Sequence, residues 1–236
     1  MDETAILNLP LLMPAQAQKH VTVNEALGRL DALAQLVVES RGLTAPPGIV
    51  VEGAVYAVPA GAVNAWAGAG GRLAVGLNGG WAFVTPRRGW RAWIADEGRV
   101  RVYDGGAWVA ADLGLSASGA ASRFEVIEFD EDIAAGASHV PTATIAADMM
   151  VFAVSARVTE AITGTLSGWE MGLASDTGMF GTGMGLAVGA WTRGLMSTPM
   201  AVYAATPLRL GALGGEFAGG RVRIAVHGYS VGLPGL

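Results

Sequence analysis

The apolar positions of this chain follow two periods, one helical near the start and one alternating from about residue 50 onward. Val23, Ala26, Leu27, Leu30, Leu33, Ala34 and Val37 recur at intervals of three and four residues, which places them on one face of a helix. Thr22 and Glu25 have the spacing of a capping box, the threonine hydroxyl meeting a free backbone N–H and the glutamate reaching back. The pattern therefore predicts a helix from about Thr22 to about Arg41, stopped by Gly42 and Pro46-Pro47. Its stripe is narrow and close to a heptad seam, which suits packing on the β module that follows or on copies of itself.

From Val50 to Val109 short alternating runs take over: Val55 to Val58, Arg72 to Leu77, Trp81 to Val84, Arg91 to Ala95, Val100 to Tyr103 and Ala107 to Val109. Asn78-Gly79-Gly80, Asp96-Glu97-Gly98 and Asp104-Gly105-Gly106 separate them with residues that tolerate the positive φ of tight turns. Residues 113–122 are small and nearly uncharged and read as a linker. Beyond it, Phe124 to Phe129, Met150 to Val158, Gly168 to Ala174, Gly185 to Trp191, Met200 to Ala204, Leu208 to Ala212 and Arg221 to Tyr229 are further candidate strands. In the second of these, Phe152, Val154, Ala156 and Val158 fall on one side and Ser155 and Arg157 on the other. The expected class is mainly β, with an N-terminal helix plus a small antiparallel Trp-rich β module, then a C-terminal β-sandwich of jelly-roll type. The expected divisions are 1–48 for the lead and helix, 49–112 for the Trp-rich module, 113–122 for the linker and 123–236 for the sandwich.

Composition narrows the function classes. More than half of the 236 residues are apolar, yet no run of about 18 is free of glycine and charge, so no membrane insertion is expected. The apolar excess points instead to surface buried between subunits, a homo-oligomer. A formal net charge of −5 argues against a nucleic-acid partner. With no cysteine, disulfides, thiolate metal sites and thiol nucleophiles are excluded. The acidic start Met1-Asp2-Glu3-Thr4 lacks the basic and apolar regions of a secretion signal, so synthesis is expected to end in the cytoplasm.

Catalytic motifs are hard to find. The sole lysine, Lys19, lies between Gln18 and His20 and not in a phosphate-cradling glycine loop. Ser116, Ser118, Ser167 and Ser175 lack the flanking glycines of a nucleophile elbow. His20, His139 and His227 have no metal-ligand spacing and read as structural. The carboxylates of Asp130-Glu131-Asp132 and Asp176 are what remains for a glycosidase pair or a calcium site. The reading is a non-enzyme with no cofactor and no metal.

Five of the seven tryptophans, Trp66, Trp81, Trp90, Trp93 and Trp108, fall among the glycine turns of the first β module. They either fill the core of a small module or present faces on which sugar rings stack. Trp90, Trp93, Tyr103 and Trp108, with Arg91 for acidic or hydroxyl groups, are the carbohydrate-binding candidates. Trp90 and Trp93 are three apart, so on one strand they point to opposite faces and only one of them can belong to a platform.

Leu9-Pro10, the run Met13-Pro14-Ala15-Gln16-Ala17-Gln18-Lys19-His20-Val21-Thr22, Asn24-Glu25-Ala26-Leu27 and Leu30-Asp31-Ala32 occur together with Leu43-Thr44-Ala45-Pro46-Pro47, Thr85-Pro86-Arg87, Gly89-Trp90-Arg91-Ala92-Trp93 and Tyr103-Asp104-Gly105. In this, about residues 6 to 110 resemble an uncharacterised host-specificity family of gene transfer agents and tailed phages. The resemblance implies a head-spike or tail-fibre component on the virion surface. Its implied partners are other virion proteins (capsid, portal, tail or fibre) and cell-surface polysaccharide, met directly or through a separate fibre. The second module, through Gly172-Leu173-Ala174, Phe180-Gly181-Thr182-Gly183, Tyr203-Ala204-Ala205-Thr206-Pro207-Leu208-Arg209-Leu210 and Gly219-Gly220-Arg221-Val222-Arg223, is similar to the β-sandwich ends of phage fibre proteins, which serve oligomerisation or receptor binding. Tyr103 to Trp108 is also similar to small chitin-binding modules, whose surrounding spacing is not reproduced.

Overall fold

A computed structural model describes residues 3–13 and 19–235, which fall into two compact units divided between Asp112 and Leu113. The Pro14 to Gln18 part of the distinctive N-terminal motif lies outside the described residues.

In the first unit, helix α1 covers Lys19–Ala34, so Thr22 lies inside it and the expected extension to Arg41 is not made. The reason is the β-branched pair that follows. Val37–Val38 forms strand β1, which pairs in parallel with Trp93 and Ile94. The buried face of the helix also differs from the predicted stripe: Leu27, Gly28, Asp31 and Ala32 turn inward, while Val23, Ala26 and Leu30 are exposed, Leu30 by 61%. Gly28 allows this approach, since a Cβ there would come within 2.8 Å of the Leu77 side chain.

Two polar side chains of α1 tie down the N-terminal lead. Asp31, almost fully buried, accepts hydrogen bonds from Thr4 Oγ1 (2.8 Å), the Ile6 amide (2.8 Å) and the Leu7 amide (2.7 Å). Asn24 accepts from the Leu12 amide at 2.9 Å and donates to its carbonyl at 3.0 Å, as a neighbouring strand would.

Two small sheets complete the unit. Strands β2 (Val55–Ala57), β3 (Leu73–Leu77) and β4 (Gly80–Val84) form one in antiparallel order. Strands β5 (Arg91–Ile94), β6 (Arg99–Tyr103) and β7 (Trp108–Val109) join β1 in the other. Asn78 and Gly79, both at positive φ (52° and 72°), make the two-residue hairpin between β3 and β4. Gly76 is required for closeness: a Cβ on it would overlap the Val51 carbonyl.

The second unit has short strands β8 (Gly114–Leu115), β11 (Thr144–Ile145), β15 (Trp191–Thr192) and β17 (Thr206–Pro207) around eight main ones. These are β9 (Ala121–Asp132), β10 (Ser138–His139), β12 (Met149–Gly164), β13 (Gly168–Gly172), β14 (Gly181–Met184), β16 (Leu195–Val202), β18 (Arg209–Leu213) and β19 (Phe217–Val231). One sheet runs β9-β19-β12-β16 and the other β10-β18-β13-β14. Counted in chain order, that is first-eighth-third-sixth and second-seventh-fourth-fifth, the double Greek key of a jelly roll. Its core joins Val151, Val154, Ala156, Val158, Val222, Ile224 and Val226 of the long sheet to Trp169, Met171 and Leu210 of the other. The Trp169 indole donates to the Gly185 carbonyl at 3.0 Å, which satisfies its one polar group.

Three expectations for this unit are corrected. Residues 113–122 are not a bare linker, because β8 pairs with the start of β9 there. The run Gly185 to Trp191 is no regular strand. Gly189 turns at φ 89°, the backbone before Trp191 meets β12 through scattered bonds such as Ile162 N–H to Leu186 O, and strand pairing begins only at Trp191. Phe152 does not share a side with Val154, since a β-bulge sets Phe152 and Ala153 together against His227 and reverses the phase of the strand.

Replacing Asp31 with alanine leaves three donors of the lead without their acceptor, and the expected cost is roughly 2–4 kcal/mol. Urea unfolding of the full chain followed by tryptophan fluorescence measures it.

Candidate functional site

The tryptophan cluster of the first unit is mostly core. Trp66 is fully buried, and Tyr56, Trp66 and Trp81 close on one another with ring centroids 5.3–5.7 Å apart. Among the described residues no oxygen or nitrogen acceptor meets the Trp66 indole N–H. Trp90 is half-buried against the second aromatic cluster, where Tyr103 and Trp108 face each other across β6 and β7 at 5.3 Å.

Tyr103 and Trp108, sugar-stacking candidates by residue type, are thus packed into the core. At 7% and 8% exposure their faces are used by the core. Strand parity decides the remainder. Ala92 and Ile94 of β5 point inward, leaving Arg91 and Trp93 on the outer face, with Trp93 46% exposed. Beside Trp93 on that face stand its registered neighbours Val37 and Val100. Arg91 donates to the Asp112 carbonyl. The outer face thus holds one open indole in a strip of valines and not a row of aromatic platforms.

The turns are held by charge. Asp104 Oδ1 accepts from the amides of Gly106 (2.8 Å) and Ala107 (2.7 Å), closing the β6–β7 hairpin. The Ala107 and Gly106 amides hold its carboxyl below the usual carboxylate range. At Glu97 partial burial works to raise the pKa, but hydrogen bonds from Arg41 and Arg101 outweigh it and the value is lowered. Arg101 Nε lies 2.7 Å from Glu97 Oε2.

In the second unit the carboxylates proposed for catalysis or calcium are engaged. Asp130 and Asp132 stand at the outer-face end of β9, each taking a two-pronged contact from the arginine opposite on β19. Arg223 reaches Asp130 at 2.7 and 2.8 Å, and Arg221 reaches Asp132 at 2.6 and 3.1 Å. These hydrogen bonds lower both carboxyl pKa values. Glu131, on the other face of β9, meets His139 Nε2 at 2.7 Å. Asp176 accepts from the Gly178 amide in a turn. Among the described residues no group of histidine and carboxylate side chains is arranged to hold a metal ion.

The same outer face has a second, apolar end that the sequence reading missed. Phe124 and Val126 of β9, Tyr229 and Val231 of β19 and Met150 of β12 share it, and Phe124 is 57% exposed. Phe124 makes edge contacts with Phe152 at 6.0 Å and Tyr229 at 5.9 Å. The period-two pattern was visible in the sequence, but Phe124 and Val126 alternate with Ile127 and Phe129, so both sides of the strand looked apolar.

Comparison with known proteins places residues 23–109 in a match to a family described as a protein of unknown function, DUF2793. No curated protein matches the chain. Among solved structures, a chain of the cyanophage Pam1 capsid asymmetric unit is similar over 52% of this chain and 94% of its own, at 20% identity and a TM-score of 0.32. No helix among the described residues is long and apolar enough to cross a membrane.

Trp66→Ala is expected to cost about 3–5 kcal/mol, whereas Trp93→Ala should stay within about 1 kcal/mol of wild type, read from urea midpoints. For Asp104 the sign of the pH dependence follows from its lowered pKa. Its contribution is complete above the unfolded value of about 3.9 and is lost as the pH falls through the lower folded value. Asp104→Asn keeps the acceptor oxygen and should remove this part of the acid dependence in an acid-unfolding titration.

Proposed function

We propose that this chain is a non-enzymatic virion surface component of a tailed phage or gene transfer agent, a head spike or the base of a tail fibre. It works as a homo-oligomer joined to other virion proteins and supports attachment to cell-surface polysaccharide. The observation that carries the reading is apolar surface left open on well-packed units: the aromatic end of the long sheet around Phe124, Val126 and Val231. Soluble monomers rarely leave such a contiguous patch to water, because burying it against protein recovers its hydration cost.

Two further features support it. On α1, Val23, Ala26 and Leu30 keep the spacing of a heptad seam and face away from their own unit, as helices that pair with copies of themselves do. Jelly rolls recur in viral shells and in lectins, an analogy at the level of fold that agrees with the resemblance in residues 6 to 110. A purely structural adaptor that holds a separate receptor-binding fibre is the second reading. The burial of Trp66, Tyr103 and Trp108 favours it for the first unit, since only Trp93 remains open there.

The purified chain should scatter light as an assembly of several copies. Val23→Glu combined with Leu30→Glu should shift it toward the single-chain mass without changing its β-rich circular dichroism. A wild-type chain that runs as a monomer at every concentration sinks the assembly role. Particles produced without the chain are expected to lose adsorption to their host cells, and normal adsorption would remove the attachment role.

A further inference from the structure

A groove of about 740 Å³ lies on the outer face of the long sheet in the second unit, between the bulge of β12 and the β15–β16 turn. Register builds it. Trp191 of β15 pairs with Arg157 of β12, so the indole and the guanidinium stem stand side by side on the same face. Trp191 is 55% exposed, and Arg193 places its guanidinium carbon 5.1 Å from the centre of the indole. Leu195 and the bulge residue Phe152 add apolar wall. On the floor, Ser155 Oγ and His227 Nε2 are 3.0 Å apart, a polar pair beside the aromatic wall.

Charge in the groove is unbalanced. Arg223 at its far end is matched by Asp130 and, at 3.9 Å, by Glu128. Arg157 and Arg193 have no carboxylate within 4.0 Å among the described residues. An open indole next to two unmatched guanidinia and a hydroxyl–imidazole pair is complementary to a flat ring that carries hydroxyls and one negative group. Arginine supplies the planar, two-pronged geometry that a carboxylate takes.

We infer that this groove binds a carboxylated sugar unit of an acidic polysaccharide. The apolar face of the pyranose lies along Trp191 and Phe152, the carboxylate sits between Arg157 and Arg193, and ring hydroxyls meet Ser155 and His227. The bulge in β12 is what makes the site, because without it Phe152 would turn into the core and the wall would be lost. The inference rests on the proposed attachment role only for the source of the sugar. It assigns that role to the jelly-roll unit and not to the tryptophan module.

Calorimetric titration of the full chain with oligogalacturonate, hyaluronate oligomers and polysialic acid tests it, with methyl-esterified oligogalacturonate and polyglutamate as controls. At least one acidic saccharide should bind, the ester and the polyglutamate should not, and Trp93→Ala should have no effect. Arg157→Gln and Arg193→Gln, both at exposed positions, should each weaken binding about tenfold, the size of one lost charge-assisted hydrogen bond. Trp191→Ala should weaken it further, with circular dichroism confirming that each variant is folded. Binding of none of the three saccharides, equal binding of the ester or polyglutamate, or indifference to the paired Arg157→Gln and Arg193→Gln change overturns the inference. Loss of saccharide binding in particles that still need the chain for adsorption would overturn this site alone. Saccharide binding by a chain that particles do not need would overturn the attachment role alone.

Discussion

The sheet surfaces of functional interest in this protein follow from one constraint: successive side chains of a strand are delivered to opposite environments. In the long sheet of the second unit, one set, Val154, Ala156, Val158, Val222, Ile224 and Val226, closes the jelly-roll core. Because that set is committed, the other set is committed too. Phe124, Val126, Ser155, Arg157, Arg223 and His227 must face outward whatever their polarity. A one-residue slip would exchange the two sets, and the density of apolar residues on the core side forbids it. The bulge at Phe152, the first of several register shifts along β12, is a place where the rule is locally suspended, and it puts one aromatic residue on the outer face that strict alternation would have buried.

The first unit uses the same parity with less material. Its strands are only two to five residues long, so aliphatic side chains alone would enclose little volume. Large aromatic rings make up the difference, which is why Trp66, Tyr103 and Trp108 are core residues. The lead segment is too short of regular partners to hold itself in place, and the side chains of Asp31 and Asn24 supply the hydrogen bonds that a strand would have supplied. The motif residues Asn24 and Asp31, polar in the middle of a helical pattern, have this physical purpose.

Much of the architecture could be read from sequence because it is set by local chemistry. Asn78-Gly79 and Asp104-Gly105 mark their turns through backbone freedom and a short acceptor side chain, and the strands of the first unit lie within a residue or so of the expected runs. What escaped depends on tertiary partners. Val37-Val38 continues a helical period, yet its place beside Trp93 and Ile94 draws it into a sheet. Which face of α1 turns inward depends on the lead and on Leu77, and neither is visible in the spacing. Residue type alone marks Trp90, Trp93 and Trp108 as sugar candidates, and of these Trp93 stands clearly open. In the sequence Trp191 reads only as the end of a candidate strand, because its meaning depends on Arg157, a residue far from it in sequence and beside it in register.

The outer face of the jelly roll shows how charge pairing assigns tasks to neighbouring positions. At one end, Phe124, Val126 and Val231 offer water nothing to bond with, so burial against protein is the favourable outcome. At the other end, the arginines of β19 are answered by the aspartates of β9, and a face neutralised in this way attracts neither anion nor cation strongly. Arg157 and Arg193 lie outside that lattice: among the described residues no carboxylate comes within 4.0 Å of either, and Glu160 of β12 is taken by Arg221. On this face, among the described residues, unmatched charge beside an open aromatic ring is therefore confined to the groove. That confinement, more than the number of aromatic residues in the chain, separates a surface suited to assembly from one suited to recognising an acidic ring.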